Sequence, residues 1–179
     1  MGMGGRKNLG RVFVLAAFCG LIWWAYSSKE QVNQQVNQME KDISNQYYYA
    51  NLLLRNTVDA LLEWDFSQPF TDTVEDEDYL YGLISELDST TNLMFSGNVV
   101  HYEWRRRMDD ILNYVRLYIT DSSLSVESVA DLQQALQATR FITMDFKDYI
   151  RGTDDFYDAM HDEKHEINQQ IKNRLYAQY

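Results

Sequence analysis

Gln46-Tyr-Tyr-Tyr-Ala-Asn-Leu-Leu-Leu-Arg-Asn-Thr-Val-Asp-Ala-Leu-Leu-Glu-Trp64 decides the fold. No proline or glycine interrupts it, and most of its residues are good helix formers. Its apolar positions (Tyr47, Tyr48, Tyr49, Leu52, Leu53, Leu54, Val58, Leu61, Leu62 and Trp64, continuing to Phe66) cover a wide arc of a helix. An arc that wide buries against several neighbours, so this stretch predicts a member of a helical bundle.

Upstream the same helix narrows. From Ser28 to Gln46 the stripe is one residue wide, set among Gln, Asn, Glu and Lys. Spacing of 4-3-4-3 from Val32 selects Val36, Met39, Ile43, Gln46, Ala50, Leu53, Thr57, Ala60 and Trp64; eight of these ten positions are apolar. That is a coiled-coil seam, which one partner helix covers. Residues 28–46 therefore read as a stalk and residues 47–150 as a bundle.

Before the stalk comes Val12–Tyr26, fifteen residues without a charge or a proline. A membrane-spanning helix needs about 20 apolar residues, with a lower limit of roughly 17. Adding Leu9, Gly10 and Arg11 gives eighteen, with the Arg11 guanidinium reaching back to the headgroups beside Val12. Trp23, Trp24 and Tyr26 then lie at the far interface, where amphipathic rings are favoured. Arg6, Lys7 and Arg11 precede the run, and only Lys29 follows closely, next to Glu30. The expectation is a cytoplasmic tail over 1–8, a transmembrane anchor over 9–27, and residues 28–179 outside a cell membrane crossed once. The rival reading is a cleaved signal peptide, since Ala25-Tyr26-Ser27 satisfies the small-x-small rule, although Trp23 and Trp24 crowd that site.

Composition narrows the function. All 27 acidic residues follow the anchor, with 13 of the 16 basic ones, which leaves residues 28–179 at −14. Nucleic acid requires a basic face and is excluded as an expected partner. The single cysteine, Cys19, lies inside the apolar run and allows no intrachain disulfide.

Downstream, Ser67–Thr71 around Pro69 is a loop. Thr73 caps a second helix, with Glu75, Asp76 and Glu77 in its first turn and Leu80, Leu83, Ile84, Leu87, Thr91 and Met94 on its apolar face. Gly97 ends it. A third helix carries Val100, Trp104, Met108, Ile111, Leu112, Val115 and Ile119. After a loop over 120–125, Ser125 or Ser123 caps a fourth, with Val129, Leu132, Leu136, Thr143, Phe146 and Ile150. Ile150, Thr153, Tyr157, Met160, Lys164, Ile167 and Ile171 keep a 3-4 rhythm, which predicts that the fourth helix continues past Gly152 with at most a kink. Glu166-Ile-Asn-Gln-Gln-Ile-Lys-Asn echoes Gln31-Val-Asn-Gln-Gln-Val-Asn-Gln. The expected fold is all-α. A transmembrane helix is followed by an up-down antiparallel four-helix bundle, whose first and last helices (28–46 and 153–179) extend as a two-stranded coiled-coil-like stalk.

Few constellations carry chemistry. On a continuous helix His161 and His165 share a face at i and i+4, with Asp158 one turn earlier, which is a zinc-clamp spacing. The bland alternative is a solvated charged face. Arg105, Arg106 and Arg107 form either a docking spot for an anionic group or a self-neutralised face, paired at helical spacing with Asp109, Asp110 and Glu103. Tyr47, Tyr48 and Tyr49 cannot all face a core, so Tyr48 is a candidate contact for a partner. Tyr79, Tyr81, Tyr102, Tyr114 and Tyr118 extend the aromatic surface. No Ser-His-Asp, Walker, CxxC or GxGxxG arrangement occurs. The expectation is a non-enzymatic, membrane-tethered, extracytoplasmic interaction module that needs no cofactor. It works through contacts with another envelope protein or with itself through the stalk. The alternatives are a helical-bundle ligand sensor or accessory subunit and, more remotely, a metal-dependent enzyme using the histidine pair.

Overall fold

Hydroxyl side chains start the helices at the places the sequence assigns to them. In the computed structural model, Thr73 Oγ1 accepts from Asp76 N at 3.2 Å ahead of α2 (Val74–Phe95), and Ser125 Oγ accepts from Ser128 N at 3.1 Å ahead of α4 (Val126–Gly152). Each satisfies an amide that the first helical turn leaves open. The structure describes the backbone of residues 4–70, 73–95, 101–152 and 156–179. It describes the side chains of all these except 4–19, 22, 151–152 and 156–158. The remaining helices are α1 (Gly4–Glu63), α3 (Tyr102–Asp121), α5 (Phe156–His161) and α6 (Glu166–Tyr176). Among the described residues all regular structure is helical.

Two compact units result, Met1–Asp42 and Ile43–Tyr179. The first is helical from Gly4, and every described side chain from Lys29 to Met39 is exposed. The second is the bundle. In it the wide arc of α1 buries Ala50, Leu54, Val58 and Leu61, while the apolar stripe of α2 buries Leu80 through Met94 as the spacing predicts. Trp104, Met108, Ile111, Leu112, Val115 and Ile119 of α3 and Leu132, Leu136, Phe146 and Ile150 of α4 complete the core. Val100 and Gly97 lie outside the described residues. Helix α4 runs antiparallel to both α3 and α1. Trp104 packs on Phe146 while Tyr114 bonds Asp131, and Asn51 reaches the Thr143 carbonyl while Asp59 meets Arg140.

Aromatic clusters fix both ends of the bundle. At one end Phe66 and Phe70 meet Tyr118 edge-on at 5.0 and 5.5 Å, and the Tyr118 hydroxyl donates to Gln68 O at 3.0 Å. Ser122, in the left-handed region at φ 58, ends α3 and accepts from Phe70 N at 2.8 Å. That bond ties the α1–α2 loop to the far end of α3. Helix α1 stops at Glu63, three residues short of the expected Phe66. Trp64 stacks instead on Tyr79 at 5.9 Å.

Among the described residues no helix is long and apolar enough to cross a membrane. Most of the expected anchor, Arg11 and Val12 included, lies outside the described side chains, while Trp23, Trp24 and Tyr26 are described and exposed. The structure does correct the expectation for the last helix, which is not the arm of a stalk. The chain leaves helix after His161, turns through Asp162–His165, and α6 packs on α4 and α3 with Ile167, Ile171 and Leu175 buried. Asn168 explains the turn. Its wholly buried side-chain amide donates to Ala159 O at 2.8 Å and Asp162 O at 2.6 Å, adding a second donor to carbonyls that also accept from Asp162 N and His165 N and so clamping the turn from both sides. Lys164 N donates to Asp162 Oδ1 at 2.9 Å, and His165 Nδ1 accepts from Ile167 N at 3.4 Å at the start of α6. The 3-4 rhythm across 150–171 arises from three helices, α4, α5 and α6, that bury Ile150, Met160, and Ile167 with Ile171 in the same core.

Replacing Asn168 by Leu keeps the branching of the side chain and removes both donated hydrogen bonds, so it is expected to lower unfolding free energy by about 2 kcal/mol. Urea denaturation of the two proteins measures the difference, and equal midpoints would remove Asn168 as the cause of the turn.

Candidate functional site

The nominated metal ligands separate. His161 ends α5 and His165 starts α6, so the helical i,i+4 geometry behind a zinc clamp is absent. His165 is held as a structural group: Nδ1 accepts from the Ile167 amide, which leaves the proton on Nε2 facing the Tyr149 hydroxyl at 3.2 Å. The Asp158 side chain lies outside the described residues. Among the described residues no group of three or more His, Cys, Asp or Glu side chains is placed to hold a metal ion.

Arg105 and Arg106 are exposed on α3 and Arg107 is half-buried. Among the described residues the ion pairs are Arg55–Asp59, Arg140–Asp59 and Arg174–Asp145, so the expected pairing of the three arginines with Asp109, Asp110 and Glu103 is not made. Arg106 and Arg107 instead edge a shallow cleft of about 260 Å³ with Glu103, Asp110 and Tyr176. A hydrogen bond to the Glu103 carboxylate raises the Tyr176 phenol above its ordinary pKa. Two acids among two cations make that cleft a poor anion site.

The tyrosines do not converge on one groove. Tyr118 is core, Tyr114 joins α3 to Asp131 of α4, Tyr48 is half-buried with its ring edge-on to exposed Tyr49, and Tyr81 and Tyr102 lie apart in the open. A larger concavity than the cleft beside Arg106 lies elsewhere, between the end of α1 and the first turns of α4, with a volume of about 630 Å³. Leu61, Leu62, Trp64, Phe66 and Leu136 form its floor. Its rim is amide and phenol: Gln133, Gln134, Gln137 and Tyr179. Gln134 Nε2 donates to Ala177 O at 3.3 Å, and Tyr179 stacks on Phe141 at 5.1 Å, so the last residues run along α4 at its margin. An apolar floor with a few converging neutral hydrogen-bonding groups suits an uncharged ligand. Sequence reasoning passed over these glutamines. Their signal is Gln133, Gln134 and Gln137 at adjacent and i+4 positions, a pattern that also describes any solvated helix face.

At the other end of the bundle His101 is almost wholly buried before α3, edge-on to Trp104 at 6.0 Å, and its Nε2 has no hydrogen-bond partner. Burial first, then the charges of His161 and Lys172, press its pKa down from 6.5 to about 4. The folded chain thus refuses a proton that the unfolded chain accepts below pH 6.5. The contribution is complete above that pH and fades as pH falls toward 4. It amounts to on the order of 3 kcal/mol. Stability measured by denaturant between pH 7 and pH 4 should fall more steeply for the native chain than for His101→Gln, and parallel slopes would refute the assignment.

Comparison with known proteins gives no match to a family model, a curated protein or a solved structure.

Proposed function

We propose that the chain is a membrane-tethered, non-enzymatic interaction module. Residues 9–27 insert in the cell membrane with the N-terminus cytoplasmic, and the acidic bundle stands on the other side, where it engages another envelope protein. The observation that carries this reading is the exposure of Leu21, Trp23, Trp24 and Tyr26 in succession on α1, at 63, 73, 66 and 69%. Large apolar and aromatic side chains in such a run belong in lipid or its interface, and the basic residues Arg6, Lys7 and Arg11 ahead of them set the direction. The net charge of −14 over 28–179 supports a bundle that stays soluble and meets a partner with a basic face. The protein should pellet with membranes after alkaline carbonate extraction. Placing two arginines in the run (Ala17→Arg with Gly20→Arg) adds ~5–7 kcal/mol to insertion and should release it into the supernatant. A native chain that extracts fully would end the tethered reading.

The groove between α1 and α4 favours a second reading, an extracytoplasmic sensor of a neutral small molecule. Its volume falls within the ~300–1,000 Å³ of ligand sites. The rim residue Ala130 is exposed, so Ala130→Trp fills the groove without disturbing the core. N-phenylnaphthylamine, a neutral apolar fluorophore, should brighten with the native protein and not with this variant. Equal responses would discard the sensor.

A further inference from the structure

The stretch from Lys29 to Met39 is helical, and every described side chain in it is exposed, including Val32, Val36 and Met39 at 55, 46 and 66%. A lone helix rich in Gln and Asn is marginal in water, because its hydrogen bonds alone barely offset the ordering of its backbone. Val36 falls at an a position and Val32 and Met39 at d, a repeat that the sequence continues to Ile43. One-residue width at this period matches a single partner helix of the same period, not a sheet or a broad surface. The apolar stripes of α2, α3, α4 and α6 are already buried in their own bundle. Another molecule of the same protein carries the identical seam.

We propose that Val32, Val36 and Met39 form the seam of a parallel, in-register dimer of two copies of this chain. The proposal rests on the tethered reading for its direction, since two chains anchored through the same segment enter the contact side by side from one end. β-Branched Val36 at a suits a two-stranded parallel pair. The flanking positions do not oppose it. In register, Gln35 of one copy faces Glu40 of the other, and the Asp42 carboxylate accepts from Gln38 Nε2 of its own helix at 3.0 Å, so no like charges meet across the seam. A seam this short binds weakly between free molecules. Confinement to one membrane raises the effective concentration enough for it to hold.

Cysteine scanning of the full-length protein in native membranes tests this. In a Cys19→Ala background, single cysteines are placed in turn at each position from 32 to 39 and oxidised with copper phenanthroline, and the pelleted and soluble fractions are both counted. Disulfide-linked dimer is expected to peak at Val32→Cys, Val36→Cys and Met39→Cys, several-fold above Gln34→Cys, Asn37→Cys and Gln38→Cys. Adding Met39→Lys to Val36→Cys should cut the product several-fold, whereas Met39→Leu should keep it. All these side chains are exposed, so the bundle itself is untouched. Pelleted protein with a flat profile, or with peaks on another face, overturns the dimer and leaves the tether standing. Soluble protein with the expected peaks does the reverse, and soluble protein with a flat profile overturns both.

Discussion

One buried indole holds the bundle in register. Trp104 has no exposed surface, and the edges or faces of Phe95, His101 and Phe146 close on it at 5.1, 6.0 and 5.9 Å, each near perpendicular. These rings belong to α2, the start of α3 and α4, so a slip of either neighbour along α3 would open a gap the size of a benzene ring. The indole N–H and His101 Nε2 are both buried without acceptors or donors, which opposes this arrangement. The opposing terms are close in size, with the ring packing ahead. A buried Trp is worth about 3–5 kcal/mol against its truncation and its aromatic pairs with Phe95 and Phe146 add about 0.5–1.5 kcal/mol each, while the two unsatisfied polar groups cost about 1–3 kcal/mol each.

The sequence made the interior legible wherever a stripe met one clear boundary signal. Thr73 and Ser125 cap where expected, and the stripes of α2, α3 and α4 are buried almost residue for residue. The reading failed at 150–171, because a 3-4 repeat reports which side chains are buried and says nothing of whether one helix or several present them. The deciding residue, Asn168, is polar, and in the string Ile-Asn-Gln-Gln-Ile it resembles its solvated neighbours. Only its placement within reach of Ala159 O and Asp162 O separates it from Gln169. The histidine pair failed for the same reason, since its spacing has meaning only on an unbroken helix. The groove was illegible because its floor and rim come from segments some seventy residues apart.

Helix α1 combines two kinds of surface under one backbone conformation. Between Ala50 and Leu61 one face, that of Ala50, Leu54, Val58 and Leu61, is sealed by other helices while Leu52 and Leu53 stay exposed, and between Leu21 and Met39 comparable residues are open. Backbone hydrogen bonding is the same in both stretches, so the difference lies entirely in what covers the side chains. Asp59 shows how the covered part is held at its margin. Arg55 from the same helix stands 3.6 Å from its carboxylate and Arg140 of α4 stands 2.8 Å away, the latter as an ion pair whose angle is too bent for a hydrogen bond.

The groove beside α4 also differs from the rest of the surface in its electrostatics. None of the side chains lining it, from Leu61 to Tyr179, carries a charge at neutral pH, although the chain as a whole is strongly acidic. Contacts made there have no counterions to release and little Coulomb energy for salt to screen. A neutral ligand placed there would be selected chiefly by shape and hydrogen bonding, with an affinity that responds little to ionic strength, while encounters with the surrounding acidic surface would weaken or strengthen with salt.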